Sequence, residues 1–117
     1  MNYVDGFVVP VPTANRDTYI RFAREVAAVF RKNGALQVVE CWGDDVPEGK
    51  VTSFPMSVQR QPDETVVFSW ITWPSRAARD EGMKKSMEDP AFNHETNVMP
   101  FDGKRMIFGG FQMVVNE

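Results

Sequence analysis

Polar side chains inside otherwise apolar segments are the residues of this 117-residue sequence that could carry chemistry. Asp5 lies within YVDGFVVPV, Glu40 within LQVVECW and Ser69 within TVVFSWITW. A carboxylate on a buried strand is costly unless it is paired or lines a wet cavity. Asp5 and Glu40 are therefore candidates for a general base or a ligand anchor.

Aromatic and basic side chains near these carboxylates complete a candidate binding site. We expect Trp42, Phe68 and Trp70 to wall a pocket between a sheet and its helices. Arg105 would hold an anionic group of the ligand or pair with one of the carboxylates. Alternatively, each of these polar residues reaches solvent at a strand end or forms a structural ion pair.

His94 and Cys41 are the remaining residues with reactive side chains. His94, the only histidine, is a third and weaker candidate base, because histidine side chains ordinarily titrate near neutral pH. The alternative is that His94 is a solvated loop residue without a catalytic role. Nothing local supports haem ligation by His94, and no second His or Cys lies at ligand spacing, so we expect no metal and no cofactor. Cys41 is predicted to be a small buried packing residue rather than a nucleophile, because no His lies near it in sequence.

Charge and targeting signals narrow the class of protein. Thirteen Lys and Arg against sixteen Asp and Glu give a net charge of −3, without a dense basic patch, which disfavours nucleic-acid binding. One cysteine allows no internal disulfide, and the sequence shows neither a signal peptide nor a long apolar run. We expect a cytoplasmic protein that does not enter a membrane.

The elements that must position these residues follow from composition and periodicity. Sixteen Val, nine Phe and three Trp against a single Leu favour strands over a helix bundle. Four strands are predicted, at Tyr3–Val11, Leu36–Trp42, Thr65–Trp73 and Lys104–Val115. An apolar stripe from Tyr19 to Phe30, with Thr13 or Asn15 as its cap, predicts the first helix, and Ser75 opens a second that runs to about Glu88.

The element order β-α-β-β-α-β predicts a ferredoxin-like α+β fold with an antiparallel sheet, as one domain over residues 1–117. Val51–Val58 is expected to form a short extended piece at an edge, and Gly109-Gly110 suggests a bulge or a close approach in the last strand.

Both faces of the predicted sheet are apolar. In the third strand Val66, Phe68 and Trp70 point one way, and Val67, Ile71 and Trp73 point the other. Two helices cover only one face, and the other would be a larger apolar patch than a monomer usually exposes. We therefore expect a two-fold homodimer, sheet against sheet. The sequence does not decide which face lines the pocket.

A non-catalytic dimeric interaction module is the alternative to a ligand-binding protein.

Two strings carry a resemblance that spans nearly the whole chain. They are DDVPEGKVTSFP, from Asp44 to Pro55, and MPFDGKRM, from Met99 to Met106. With its strand sequences, the chain resembles the DUF1428 family of small bacterial proteins. The resemblance implies a dimeric α+β barrel and supplies no catalytic residue. More distant relatives by fold include cofactor-independent monooxygenases, which makes such an activity the enzyme hypothesis by analogy alone.

Overall fold

The structure is a computed structural model that describes residues 2–93 and 98–117. Its centre is a four-stranded antiparallel sheet of order β2-β3-β1-β4. The strands are β1 Tyr3–Pro12, β2 Gln37–Trp42, β3 Glu64–Trp73 and β4 Ile107–Gln112. The helices are α1 Arg16–Lys32, α2 Phe54–Ser57 and α3 Arg76–Met87. This element order and this sheet confirm the predicted ferredoxin-like α+β fold.

Helix α1 lies on one face of the sheet through its apolar stripe. The buried members are Tyr19, Ala23, Val26, Val29 and Phe30. The helix ends at Asn33 and Gly34, where a φ of 109° at Gly34 is the left-handed turn that glycine adopts without strain. Asn15 occupies the N-cap position but makes no side-chain capping bond there, contrary to the predicted cap.

Helix α3 packs on the same face by close approach rather than by a broad apolar stripe. Ser75 caps it as predicted, its Oγ accepting from the Ala78 amide at 3.0 Å. Gly82 lies against the indole of the fully buried Trp73, and a Cβ at Gly82 would collide with that ring and with the Asn33 carbonyl. The missing side chain thus sets how near α3 comes to β3.

The strand register fixes which side chains share a face. Phe7 is paired with Ser69 on β3 and with Phe108 on β4, whereas Val8 is paired with Phe68 and Ile107. Paired residues of antiparallel strands point to the same face, and successive residues alternate. The Phe7 set therefore faces α1 and α3, and the Val8 set faces away from them.

Three segments differ from the sequence prediction. Val51–Val58 is not extended but contains the short helix α2, because Ser53 caps the Met56 amide and Pro55 suits a first turn. β4 is shorter than predicted, because Gly103–Arg105 form a 3-10 turn capped by Asp102. β1 ends at Pro12, one residue later than predicted, and Pro10 within it lies beyond the last residue paired with β4 and so interrupts no ladder on that side.

None of the helices in the described part of the chain is long and apolar enough to cross a bilayer.

Candidate functional site

A pocket of about 430 Å³ lies between the Phe7 face of the sheet and the helices α1 and α3. Small-molecule sites in proteins span roughly 300–1,000 Å³, so the volume suits a small ligand. Its apolar walls come from both layers and from the segment before β4. The aromatic members are Phe7, Tyr19, Phe22, Phe30, Phe92, Phe101 and Phe108, and the methionines are Met83, Met87, Met99 and Met106.

Asp5 lies at one side of this pocket and is buried. Its Oδ2 accepts a hydrogen bond from Trp73 Nε1 at 3.0 Å, and its Oδ1 is 3.3 Å from Arg79 Nε. Burial raises the pKa of Asp5, and this effect outweighs the opposing influence of Arg79 and the Trp73 hydrogen bond. Asp5 thus lines the cavity, and its cationic partner is Arg79 rather than the predicted Arg105.

Arg79 is the cation that pairs with Asp5, and it reaches the site from α3. Its Nη2 donates to the Tyr3 hydroxyl at 3.0 Å, its guanidinium carbon lies 4.8 Å from the centre of the Tyr3 ring, and its Nη1 donates to Asp80 at 2.9 Å. Gly110 on β4 makes room for this arrangement, since a Cβ there would collide with the guanidinium and the Tyr3 phenol. Gly109-Gly110 was predicted to form either a bulge or a close backbone approach, and Gly110 makes the close approach.

Glu40 faces the pocket from the edge strand β2, where the Tyr19 hydroxyl donates to its Oε1 at 2.6 Å. The residue is exposed at the sheet edge, although neighbouring protein atoms partly desolvate its carboxyl group. This desolvation raises the pKa of Glu40, against the opposing Tyr19 hydrogen bond. Burial, and then the Glu40 carboxylate, raise the pKa of Tyr19, so its phenol stays protonated.

Ser69 lies on the central strand between these two carboxylates. It is buried, lines the pocket and is paired with Phe7 on one side and Glu40 on the other. Its hydroxyl makes no hydrogen bond with any residue in 2–93 or 98–117. The hydroxyl is therefore available to a ligand.

Asp5 and Glu40 do not form a coupled pair. They lie on β1 and β2 with β3 between them, which separates their backbones by about 10 Å at the usual strand spacing. Two carboxyl groups share a proton only when they are in direct contact. Each therefore acts with its own partners, Asp5 with Trp73 and Arg79, and Glu40 with Tyr19.

The prediction that Phe68 and Trp70 wall this pocket is wrong. Both belong to the opposite face of β3, where their rings lie 5.7 Å apart and Phe68 meets Phe54 of α2, also at 5.7 Å. Ser69, the residue between them in sequence, is the one that faces the pocket. Because both faces of β3 are apolar, composition alone does not distinguish them.

The prediction that Arg105 holds a ligand anion, or pairs with Asp5 or Glu40, is also corrected. Its guanidinium binds Glu64 through two hydrogen bonds of 2.8 and 2.6 Å, and also contacts Asp102 and the Gln59 carbonyl. Arg105 does not line the pocket. These hydrogen bonds hold the pKa of Glu64 below its usual range. Arg105 thus forms the structural ion pair that was the alternative.

Three further candidates lie outside the pocket or outside the described residues. Trp42 is behind Tyr19, with 6.4 Å between the ring centres, and the Arg16 guanidinium stacks on its outer side at 5.6 Å. Cys41 is free and exposed on the opposite face, paired with Phe68, so its predicted burial is wrong. His94 lies outside the described residues. Within residues 2–93 and 98–117, no three His, Cys, Asp or Glu side chains are grouped so as to hold a metal ion.

Comparison with known proteins places the chain in a family. Residues 2–103 match the family described as "Protein of unknown function (DUF1428)". The chain belongs to the DUF1428 family. It is 51% identical to the Escherichia coli K12 protein named "Uncharacterized protein YbaA" over 117 residues, which is 100% of both chains. The family description names no reaction.

Solved structures of the same fold are more distant in sequence. A dimeric ferredoxin-like protein from an uncultured marine organism aligns with a TM-score of 0.60 at 12% identity, over 100% of this chain and 99% of that one. SnoaB from Streptomyces nogalater, described as a cofactor-independent oxygenase, aligns with a TM-score of 0.54 at 14% identity, over 98% and 93%. At these identities the likeness is one of fold.

Proposed function

We propose that this DUF1428 protein binds a small, mainly apolar organic molecule in the pocket between its sheet and helices. The observation that carries the proposal is a cavity of about 430 Å³ with aromatic and methionine walls and a few polar groups directed into it. Convergent polar groups in an apolar cleft are the usual features of a ligand site. The raised pKa values of Asp5 and Glu40 add to this, since perturbed carboxyls concentrate at functional sites.

The test measures, by isothermal titration calorimetry, how a substitution that fills the pocket changes the binding of a neutral bicyclic probe, 1-naphthylmethanol. Ser69→Met adds volume at the pocket floor, and we expect it to weaken binding at least about tenfold. Ser57→Met makes the same exchange on the exposed α2 and should leave binding unchanged. Equal affinity of the wild type and Ser69→Met would contradict the proposal, and so would a wild type that binds neither this alcohol nor charged probes with the same ring system.

We further infer that the protein is a homodimer through the face of the sheet opposite the pocket. We call this the outer face, and its exposed members are Phe54, Phe68, Ile107 and Phe111. Phe68 is 44% and Phe111 60% exposed, which is high for aromatic residues on a sheet. A second copy related by a two-fold axis would cover this face with an identical one. The marine protein of the same fold is described as dimeric, which supports this assembly.

Light scattering coupled to size-exclusion chromatography tests the dimer. At subunit concentrations on the order of tens of micromolar, the wild type should elute with twice the 13.3 kDa subunit mass, and Phe68→Asp as a monomer. Val51→Asp is the control, because Val51 is 96% exposed and belongs to no strand of the sheet. A wild type of one subunit mass would exclude the dimer.

The competing function is a dimeric interaction module without a ligand, and it predicts no probe binding to the wild type. The likeness to SnoaB does not by itself bring an oxygenase activity to this chain, because fold does not fix function.

A further inference from the structure

We propose that the ligand of this pocket is an organic cation, an amine carried on an apolar body, and that Glu40 binds its ammonium group. The inference rests on the proposed function and adds the chemical class of the ligand.

The charges that the described residues bring to the pocket do not balance. Among residues 2–93 and 98–117, the charged side chains that line it are Asp5, Glu40 and Arg79. Arg79 already lies against two carboxylates, Asp5 and Asp80, and its Nη2 is bound to Tyr3. Arg79 is therefore already paired with carboxylates of the protein, although its buried Nε makes no hydrogen bond to the described residues. The surplus in the pocket is negative, and it lies at Glu40.

Glu40 is a carboxylate without a cation. Within the described part of the chain it forms no ion pair, and its single side-chain hydrogen bond is the one from the neutral Tyr19 hydroxyl to Oε1. Arg16 stacks on Trp42 and forms no ion pair with Glu40. Tyr19 thus orients the carboxylate and leaves Oε2 open. A charged donor from the ligand would supply the partner that the protein does not provide.

The aromatic rings of the pocket favour the same chemistry. Tyr19, which holds Glu40, meets Phe101 edge to face, and Phe101 meets Phe22 in the same way, with ring centres 5.9 Å apart in both pairs. All three rings line the pocket. Aromatic faces attract cations and repel anions, and the attraction grows when the cation leaves water. A carboxylate bonded to Tyr19 in a pocket with aromatic walls is a combination that recognises an ammonium group on an apolar molecule.

The experiment compares three probes that share one ring system and differ in charge. They are 1-naphthylmethylamine, 1-naphthylmethanol and 1-naphthoic acid, titrated calorimetrically into the full-length protein at about pH 7, where an alkylamine is protonated. We expect the amine to bind about tenfold or more tighter than the alcohol, and the acid to bind weakest.

Glu40→Gln tests the residue, because it keeps the shape and an acceptor for Tyr19 but removes the charge. It should bring the affinities for the amine and the alcohol to the same level. Glu25→Gln removes one negative charge from the exposed side of α1 and should keep the preference for the amine. Circular dichroism checks that each variant is folded, and the ranking of the probes on the wild type stands whether or not Glu40→Gln folds.

The outcomes separate the two proposals. If the acid or the alcohol binds as tightly as the amine, or if folded Glu40→Gln keeps the preference for the amine, the cation assignment is overturned while ligand binding stands. If none of the three probes binds, both proposals fall.

Discussion

Arg79 joins two carboxylates of very different burial, Asp5 inside the pocket and Asp80 on the surface. Asp5→Asn would turn an amide N–H₂ toward the guanidinium while its oxygen stays with Trp73. We expect a loss of about 2 kcal/mol in the free energy of unfolding in urea, below the usual cost of a broken buried pair because Asp80 remains. Asp80→Asn, the matched control, should cost less than about 1 kcal/mol. Equal losses would show that burial does not matter at this pair.

The Glu64–Arg105 ion pair predicts a pH dependence of stability. Arg105 lowers the pKa of Glu64 in the folded state below its ordinary value of 4.5, so folding favours the ionised form. The contribution of this ion pair to the free energy of unfolding is complete above pH 4.5, the ordinary pKa of the carboxyl group. It is lost as the pH falls through the lower pKa that Glu64 has in the folded protein. The difference in unfolding free energy between the wild type and Glu64→Gln should therefore be constant near neutral pH and shrink in acid.

A double-mutant cycle controls that measurement. In an Arg105→Gln background, the Glu64→Gln difference should vary much less with pH, because the main cause of the lowered pKa of Glu64 is gone. An unchanged pH profile in that background would assign the effect to a group other than Arg105.

At the residue scale the sequence predicted the acids of the site but not their partners. Asp5 and Glu40 stand out because each is a charge within an apolar strand. Arg79 does not stand out, since it lies in a helix rich in charge, where a solvated arginine is the ordinary interpretation. Contact between residues 5 and 79 depends on how α3 is placed, and Gly110 was the one local signal of a close approach there.

At the scale of the elements, Gly82 governs the contact between α3 and β3. An alanine in a helix interior is normally about 1 kcal/mol better than glycine. Here the added Cβ would overlap the Trp73 ring, so we expect Gly82→Ala to lower the free energy of unfolding by about 2 kcal/mol. Gly103→Ala is the control, since the nearest atom to its Cβ is 4.0 Å away. A stabilising Gly82→Ala would mean that α3 shifts without cost.

The elements with clear periodicity were predicted well. The stripe from Tyr19 to Phe30 and the run from Thr65 to Trp73 gave α1 and β3, because many residues of each segment repeat one pattern. Helix α2 was missed because four residues are too few to show a period, although Ser53 and Pro55 are its cap and first turn. β4 was predicted too long because Asp102 and its 3-10 turn stop the strand pattern locally.

At the scale of the whole molecule, a dimer through the outer face predicts that stability depends on concentration. Association stabilises the folded subunit by mass action, so the thermal midpoint should rise by a few degrees between about 1 and 100 micromolar. Phe68→Asp should show a midpoint that is independent of concentration. A wild-type midpoint that does not move over this range would count against the dimer.

Sequence reasoning could not orient the sheet as a whole. Alternation divides β3 into two sets, Phe68 with Trp70 and Ser69 with Ile71, but both neighbouring strands are also apolar on both sides. Which set meets the helices depends on the connections between the elements. The pocket was therefore predicted in the right layer but with Phe68 and Trp70 assigned to it in error.

The alternation of β1 and β3 also limits how this chain can diverge. Phe7 and Ser69 face the pocket while their neighbours Val8 and Phe68 face the other way. Exchanging single residues can thus retune one surface while the other is kept. Deleting one residue from β3 would instead swap the two surfaces along the rest of the strand. Descendants of this sequence can change freely by substitution in these strands, but their gains and losses of length belong in the loops.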